Sequence, residues 1–230
     1  MKIILKNISK SFGEIKVLNN INLEISSGEK ILIIGENGVG KTTLLKIIGL
    51  ILKPDKGELI FDNYKIPQNY HLTSKEIVNI RRKIGFIQQE PIMLSGSVLH
   101  NIQYGLKIRK KELPPFKITA IDDILTKNSR KISGGEKKIV AIARVLVINP
   151  EVYLFDEPFN NLAPKSSEII ENCISEISNS GKTVILTTHN IDYIENFTDK
   201  IFYLENGILS QEKIHSYKIS KFIRKKNTSL

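Results

Sequence analysis

The feature that most constrains the fold of this chain is a buried strand followed directly by a glycine-rich loop and a helix near the N-terminus. Lys30 to Ile34 is a nearly continuous apolar run, which is typical of a strand buried on both faces of a sheet. Gly35 ends this run. A helical pattern then extends from Thr42 to Ile51 and stops before Pro54. The succession predicts an α/β fold.

The loop between this strand and helix has the spacing of a phosphate-binding loop. Its sequence is Gly35-Glu36-Asn37-Gly38-Val39-Gly40-Lys41-Thr42. Glycines allow backbone N–H groups to face the phosphates, and the N-terminus of the following helix adds about half a positive charge. Lys41 is expected to bridge the terminal phosphates, and the Thr42 hydroxyl to bind Mg²⁺. We therefore predict that this loop, together with Thr43, binds a nucleotide. The alternative, a glycine-rich turn with a surface lysine, does not account for the flanking elements.

Strand and helix patterns alternate through the rest of the chain, which favours a parallel sheet. Further strands are predicted over Ile3 to Asn7, Val17 to Glu24, Gly57 to Phe61, Ile84 to Gln88, Val152 to Phe155 and Thr183 to Thr187, with a closing hairpin of Ile201 to Leu204 and Ile208 to Ser210. Further helices are predicted over Val98 to Ile108, Thr119 to Leu125, a segment ending at Val147, and Ser166 to Ser178. We expect one domain over residues 1–230, with a helical lobe over about residues 91–147.

Composition and length exclude several classes of protein. The 230 residues are 41% hydrophobic and 25% charged, which is ordinary for a globular domain. No apolar run approaches the roughly 20 residues that span a bilayer, and the start of the chain is too short and too charged for a signal peptide. A cytoplasmic location is expected. The single cysteine, Cys173, excludes an intramolecular disulfide and is expected to be an inert thiol in or near the core.

The formal net charge of +10 could indicate nucleic acid or anionic lipid as a partner. The lysines are scattered along the chain, and no basic run is interleaved with aromatic residues as in a stacking platform. No direct nucleic-acid partner is therefore expected. The basic tail over about residues 213–230 has two interpretations: a short amphipathic helix near a membrane surface, or a solvated terminus.

Two carboxylates, Asp156 and Glu157, follow the apolar strand of Val152 to Phe155. Ligands of parallel α/β sheets collect at the carboxyl ends of the strands, and an unpaired carboxylate there would be costly. Asp156 is suited to the outer sphere of Mg²⁺. Glu157 is suited to act as the general base for an attacking water. A structural salt bridge is the alternative.

Ile132-Ser133-Gly134-Gly135-Glu136 resembles the LSGGQ signature of ABC ATPases, and its order and spacing relative to the phosphate loop and the carboxylates also match. Over about residues 1–210 the chain resembles the ATP-binding subunit of an ABC transporter. The resemblance implies a P-loop NTPase core with a mostly parallel sheet, an N-terminal antiparallel β subdomain and an inserted helical lobe. It also implies an Mg²⁺-dependent ATPase that closes as a homodimer around two ATP molecules.

The resemblance implies roles for further residues. Gln89 lies at the position of the Q-loop glutamine that contacts Mg²⁺ and water; Gln88 is the competing assignment, and Pro91 supports Gln89. His189 resembles the switch histidine that contacts the γ-phosphate. Phe12 lies where an aromatic ring stacks on adenine, with core packing as the alternative. Ser133, Gly134 and Gly135 would contact the γ-phosphate bound by the opposite subunit.

Three positions depart from the family pattern. Ile132 replaces leucine, which is conservative. Glu136 replaces glutamine and places a carboxylate beside a phosphate site, so it must point away or find a cation such as Lys137 or Lys138. Ala163 occupies the position of the D-loop aspartate, which predicts weaker coupling between the two sites of a dimer, with Asn160 or Asn161 as possible substitutes.

The segment from Leu94 to Arg109 resembles subunits of importers for oxyanions such as tungstate, molybdate or phosphate. The resemblance then implies a separate transmembrane permease, a solute-binding protein in the complex, and a peripheral position on the cytoplasmic face of the membrane. Two alternatives are a non-transport ABC ATPase acting in assembly or on nucleic acid, and a module that binds ATP but hydrolyses it poorly because of Ala163.

Overall fold

Two sheets and the helices around them build the fold, which a computed structural model describes over residues 1–112, 114, 119–189 and 198–212. The strands of these residues are β1 (Ile3–Phe12), β2 (Ile15–Ile25), β3 (Lys30–Ile34), β4 (Lys56–Phe61), β5 (Tyr64–Lys65), β6 (Ile84–Ile87), β7 (Val152–Asp156), β8 (Thr183–Thr188), β9 (Lys200–Glu205) and β10 (Ile208–Glu212). The helices are α1 (Lys41–Ile48), α2 (Lys75–Arg81), α3 (Val98–Ile108), the 3₁₀ helix Thr119–Ile124, α4 (Gly134–Leu146) and α5 (Pro164–Asn179).

The larger sheet has six strands in the order β10, β9, β3, β8, β7, β6. All neighbouring strands are parallel except β9 and β10, which form an antiparallel hairpin. The smaller sheet is antiparallel and has the order β2, β1, β4, β5. The expected α/β fold, with a mostly parallel sheet and an N-terminal antiparallel sheet, is confirmed.

Each face of the larger sheet contributes to a different core. Successive side chains of a strand point to opposite faces, so in β3 the side chains of Ile31 and Ile33 pack with α1 and the antiparallel sheet. Those of Leu32 and Ile34 pack with α3, α4 and α5. Because both faces are covered, β7 and β8 are buried along their whole length, which explains their continuous apolar runs.

The predicted elements occur in the predicted order, with ends shifted by a few residues. Helix α2 and the two-residue strand β5 were not predicted, because each is too short to show a clear period. The closing hairpin turns at Asn206 and Gly207, both with positive φ. Cys173 is buried, and burial raises the pKa of its thiol to about 11, as expected for an inert core cysteine.

The predicted helical segment contains α3, the 3₁₀ helix and α4, but residues 113 and 115–118 lie outside the described residues. The basic tail also lies outside them. Among the residues that the structure describes, no helix has the length and apolar character that crossing a bilayer requires.

Candidate active site

The phosphate-binding loop lies at the carboxyl end of β3 and leads into α1 at Gly40, whose φ of 113° is in the left-handed region. A Cβ at Gly40 would lie 2.8 Å from Val17 Cγ1, so both backbone angle and space require glycine. Lys41 is 5% exposed, and its Nζ donates hydrogen bonds to the carbonyl oxygens of Gly35 at 2.6 Å and Glu36 at 2.8 Å. The ammonium is thus held by its own loop.

Asp156 is buried at the end of β7 and receives two hydroxyl hydrogen bonds. Thr42 Oγ1 donates to its Oδ2 at 2.7 Å, and Thr187 Oγ1 donates to its Oδ1 at 3.0 Å. Both carboxylate oxygens of Asp156 therefore have a hydroxyl partner within the protein. The carboxylate and the Thr42 hydroxyl are nevertheless adjacent oxygen ligands, of the type that Mg²⁺ prefers.

The Glu157 carboxylate is buried between two basic side chains. Its Oε2 lies 2.9 Å from His189 Nδ1 and also accepts a hydrogen bond from the His189 backbone N–H at 3.3 Å. In the tautomer with the proton on Nδ1, His189 donates a hydrogen bond to this carboxylate. Its Oε1 lies 3.0 Å from Lys41 Nζ, an ion pair by distance whose angles are not those of a hydrogen bond. The φ of Glu157 is 46°, a strained angle for a non-glycine residue.

These side chains meet because β3, β8, β7 and β6 are parallel neighbours whose carboxyl ends lie at one edge of the sheet. A cavity of about 160 Å³ at this edge is lined by Asn37, Gly38, Gly40, Lys41, Thr42, Thr43, Gln89 and Glu157. Gln89 therefore lies at the cavity, whereas Gln88 is exposed and does not line it. Of the two adjacent glutamines, Gln89 is therefore the one at the cavity, and its role there stays a prediction.

The residues at this cavity have the chemistry to bind the phosphates of a nucleotide and Mg²⁺. Lys41 bonds only to loop carbonyls and a carboxylate, so its ammonium can exchange these partners for phosphate oxygens. Thr42, Asp156 and Gln89 would hold the metal, and each offers an oxygen ligand. The site combines a glycine-rich loop that holds the Lys41 ammonium, the paired Thr42 hydroxyl and Asp156 carboxylate, and the buried Glu157 carboxylate.

The serine of the predicted signature caps α4. Ser133 Oγ accepts a hydrogen bond from the Glu136 backbone N–H at 3.2 Å, and Glu136 Oε2 accepts one from the Ser133 N–H at 2.6 Å, which forms a capping box. The backbone hydrogen bond from Ser133 is the main cause of the lowered pKa of Glu136. Its carboxylate thus turns back onto its own helix, while Lys138 Nζ bonds elsewhere.

Ser133, Gly134 and Gly135 do not line the phosphate-loop cavity. Gly134 is exposed and lines a neighbouring cavity of about 330 Å³ together with Gln89 and Asn161. A Cβ at Gly135 would lie 2.5 Å from Ser166 Oγ, because α4 and α5 approach closely here. Within one chain, the signature residues therefore remain outside the cavity that Lys41 and Glu157 share.

Comparison with known proteins agrees with this geometry. A family profile described as ABC transporter matches residues 18–160, which is more than half of the chain. The chain belongs to this family. One relative of this ABC ATPase is the L-cystine import ATP-binding protein of Bacillus subtilis, which is 32% identical over 217 residues that cover 90% of this chain and 88% of the relative. Another is the sulfate/thiosulfate import ATP-binding protein of Pectobacterium atrosepticum, which is 29% identical over 241 residues that cover 97% of this chain and 71% of the relative.

A solved structure similar to this ABC ATPase is the dimeric post-hydrolysis state of the ATP-binding cassette MJ0796 bound to ADP and Pi. It is 33% identical, has a TM-score of 0.78, and the match covers 92% of this chain and 98% of that one. The expectations of an ATP-binding transporter subunit and an ATPase are therefore confirmed.

Phe12 of the ABC ATPase lies at the end of β1 and is 50% exposed, so the core-packing alternative is wrong. Lys10 Nζ lies 5.5 Å from the centroid of its ring. An exposed aromatic face beside a cation is available to stack on a base.

Ala163 is the N-cap residue of α5, which begins with Pro164. Its φ and ψ of −69° and 151° are those of a capping residue, but no side chain accepts a hydrogen bond there. Asn160 and Asn161, the predicted substitutes for the missing aspartate, both line the cavity beside Gly134. Because position 163 has no carboxylate, the N-terminus of α5 lacks a side-chain cap. This loss comes in addition to the predicted weaker coupling between the two sites.

Two residues of the site were missed. Thr187 donates a hydrogen bond to Asp156 and so orients it. The sequence indicated this residue only as a polar side chain near the end of an otherwise apolar strand. Lys138 is buried and bonds to the backbone behind Glu157. Its signal was present: Lys138 shares a helix face with Ile142 and Val145 at helical spacing, a position where an apolar residue is expected.

Proposed function

We propose that this chain powers an importer as a homodimer in which two ATP molecules are each held between the phosphate loop of one subunit and Ser133, Gly134 and Gly135 of the other. The observation that carries the proposal is the division of the site. Lys41 and Glu157 share one cavity, whereas Ser133 and Gly134 are exposed outside it. A second subunit in the opposite orientation would supply the missing donors, and the related MJ0796 cassette is dimeric.

In the proposed reaction, phosphate oxygens of ATP replace the carbonyl oxygens of Gly35 and Glu36 as acceptors for Lys41. Thr42, Asp156 and Gln89 would hold Mg²⁺, which would supply positive charge to offset that of the phosphates.

Glu157 accepts a proton from water as the water oxygen bonds to the γ-phosphorus and the bond to the β-phosphate oxygen breaks. His189 contacts Glu157 at 2.9 Å, and its resemblance to the switch histidine implies that it would also contact the γ-phosphate. The strained backbone of Glu157 is consistent with a residue held for function.

The transported substrate and the partners are the finer part of the proposal. We infer an inorganic oxyanion from the segment Leu94 to Arg109, together with a transmembrane permease that holds the ATPase at the cytoplasmic face of the membrane and a solute-binding protein outside. The names of the two relatives support import and differ in solute, one being an amino acid and the other an oxyanion. Residues 91–147 would form the lobe that contacts the permease, within one domain spanning residues 1–230.

The catalytic roles are tested by Glu157→Gln, with Glu168→Gln as the matched control on the exposed face of α5. Loss of the base is expected to lower kcat for ATP hydrolysis by about 10²- to 10⁴-fold, while binding of a fluorescent ATP analogue remains. The control removes the same charge and should keep full activity. Unchanged kcat in Glu157→Gln would exclude Glu157 as the base.

The transport proposal is tested in vesicles that contain the ATPase, the permease encoded beside it and the solute-binding protein. ATP-dependent accumulation of molybdate, tungstate or phosphate is expected, and L-cystine serves as the comparison solute. Accumulation of L-cystine without any oxyanion would overturn the substrate inference and leave the importer intact.

A further inference from the structure

Lys138 is a buried lysine whose ammonium is held by backbone carbonyls instead of a carboxylate. It is 8% exposed on α4, one turn after Gly134. Its Nζ lies 2.6 Å from the carbonyl oxygen of Asn160, 3.3 Å from that of Pro158 and 3.4 Å from that of Glu157. Three donors therefore meet three acceptors on one short stretch of backbone.

The ammonium fills a small site formed by this stretch. Burial lowers the pKa of Lys138, and the negative charges of Glu157 and Glu90 oppose that effect. A buried cation is tolerated only when polar partners replace its water shell, and here the carbonyl dipoles do so. The Glu157 carboxylate contacts Lys41 and His189, so Lys138 makes its hydrogen bond to the backbone of Glu157 and interacts with the carboxylate only through charge.

The backbone that Lys138 holds is a strained turn. Glu157 has a φ of 46° and Asn161 one of 56°, and the Asn160 N–H donates to the Glu157 carbonyl oxygen at 3.2 Å. Asparagine adopts such an angle readily, but glutamate keeps it only where surrounding contacts impose it. Lys138 provides contacts at three points from Glu157 to Asn160.

We propose that Lys138 is a positioning residue for ATP hydrolysis: it ties α4 to the turn Glu157–Asn160 and thereby aims the Glu157 carboxylate into the cavity of its own subunit. The proposal rests on the function proposed above for Glu157 and for the signature residues. Because Ser133 to Gly135 begin the helix that carries Lys138, contact of the signature with the nucleotide of the opposite subunit reaches Glu157 through a single helix turn. Lys138 would thus couple the two nucleotide sites of the dimer, although Ala163 stands in this chain where the family has the D-loop aspartate.

The test is a double-mutant cycle between Lys138→Met and Glu157→Gln, measured as single-turnover hydrolysis of radiolabelled ATP. Methionine keeps the length of the side chain and removes its charge and donors. In the wild-type background we expect Lys138→Met to lower kcat about 10-fold or more, with KM for ATP unchanged within about twofold, because misplacing a reacting group by about 1 Å costs on this scale. In the Glu157→Gln background the same change should alter the rate by less than about twofold, since the base it positions is absent.

Lys137→Met is the matched control, because Lys137 is the neighbouring residue on the same helix and is only partly buried. It removes the same charge and should leave kcat within about twofold of wild type. A measurement independent of turnover is amide hydrogen exchange of residues 157–161, which Lys138→Met should accelerate by at least about threefold and Lys137→Met should not change.

An equal loss of rate in both backgrounds of the cycle, or no loss in the wild-type background, would overturn the positioning role. If Glu157 is not the catalytic base, Glu157→Gln alone leaves kcat unchanged, and this result distinguishes failure of the proposed function from failure of the positioning role. If Lys138→Met does not fold, the cycle is measured with Lys138→Gln, which keeps an N–H donor and loses the charge and the reach.

Discussion

Ala163→Asp is expected to stabilise the protein, because it supplies the cap that α5 lacks. Ala163 already has the backbone conformation of an N-cap residue, and the first turn of α5 contains no acidic residue. An aspartate there can accept a hydrogen bond from a backbone N–H of Lys165 or Ser166, and replacing alanine by a capping residue contributes about 1 kcal/mol. The negative charge at the helix N-terminus adds about 0.3–1 kcal/mol.

The sum is about 1.5 kcal/mol, which for a chain of 230 residues corresponds to a rise in Tm of roughly 3–6 °C. The assay is thermal unfolding of the nucleotide-free protein at low and high salt. Ala163→Asn supplies the acceptor without the charge, so it should raise Tm by roughly 2–4 °C with little salt dependence. Ala163→Leu supplies neither and is the matched control at this exposed position.

Two results would refute this reasoning: an unchanged Tm in both the aspartate and asparagine variants, or the same rise in the leucine variant. The second would show that the exposed site gains stability from apolar contact and not from capping. The aspartate variant also tests the predicted coupling defect, because it restores the residue implied by the family resemblance. A steeper dependence of ATPase rate on ATP concentration is expected in Ala163→Asp and not in Ala163→Asn.

Three further residues give predictions that separate their roles. Phe12→Ala should weaken ATP binding about 5- to 150-fold in calorimetry, the equivalent of about 1–3 kcal/mol of stacking, and leave tripolyphosphate binding unchanged. Gln89→Ala should lower kcat by about 10-fold or more, whereas Gln88→Ala should stay within about twofold, and equal effects would contradict the assignment. Glu136→Gln keeps the capping box and removes only the charge, so it should lower the free energy of unfolding at neutral pH by less than about 1 kcal/mol after solvent screening. The pKa of Glu136 is lowered in the folded state, so the difference in free energy of unfolding between wild type and variant should be present above pH 4.5, the ordinary pKa of glutamate. It should disappear as the pH falls through the folded-state pKa. Denaturant titrations at several pH values would measure it.

Local patterns in the sequence predicted the elements that carry the chemistry. The run before Gly35 predicted β3 with its observed limits, Lys30–Ile34, and the periodicity of Val98–Ile108 predicted α3. The spacing from Gly35 to Thr42 and the position of Asp156 after an apolar strand predicted two halves of one site. Such features depend on residues close together in the chain, so a short window of sequence contains their signal.

Residues whose role depends on distant contacts were less predictable. Gln88 and Gln89 are adjacent and chemically identical, and only the end of β6 decides which one faces the cavity. The exposure of Phe12 depends on what lies beside the end of β1 in space. Glu136 was expected either to point away from the phosphate site or to find a cation, and only the fold shows that it turns back to Ser133 in a capping box.

The amino-acid sequence by itself determined a parallel α/β core with a phosphate loop and two carboxylates at the ends of buried strands, because backbone periodicity and motif spacing are local properties. Only the tertiary structure determined which charged side chains are buried at the site and which partners they contact. It placed Lys41 and His189 on either side of Glu157, and it buried Lys138 against the backbone of the turn that carries this base. The physical reason is that burial and pairing of charges depend on which elements pack together, and the residues that meet here are separated by up to about 150 positions in the chain.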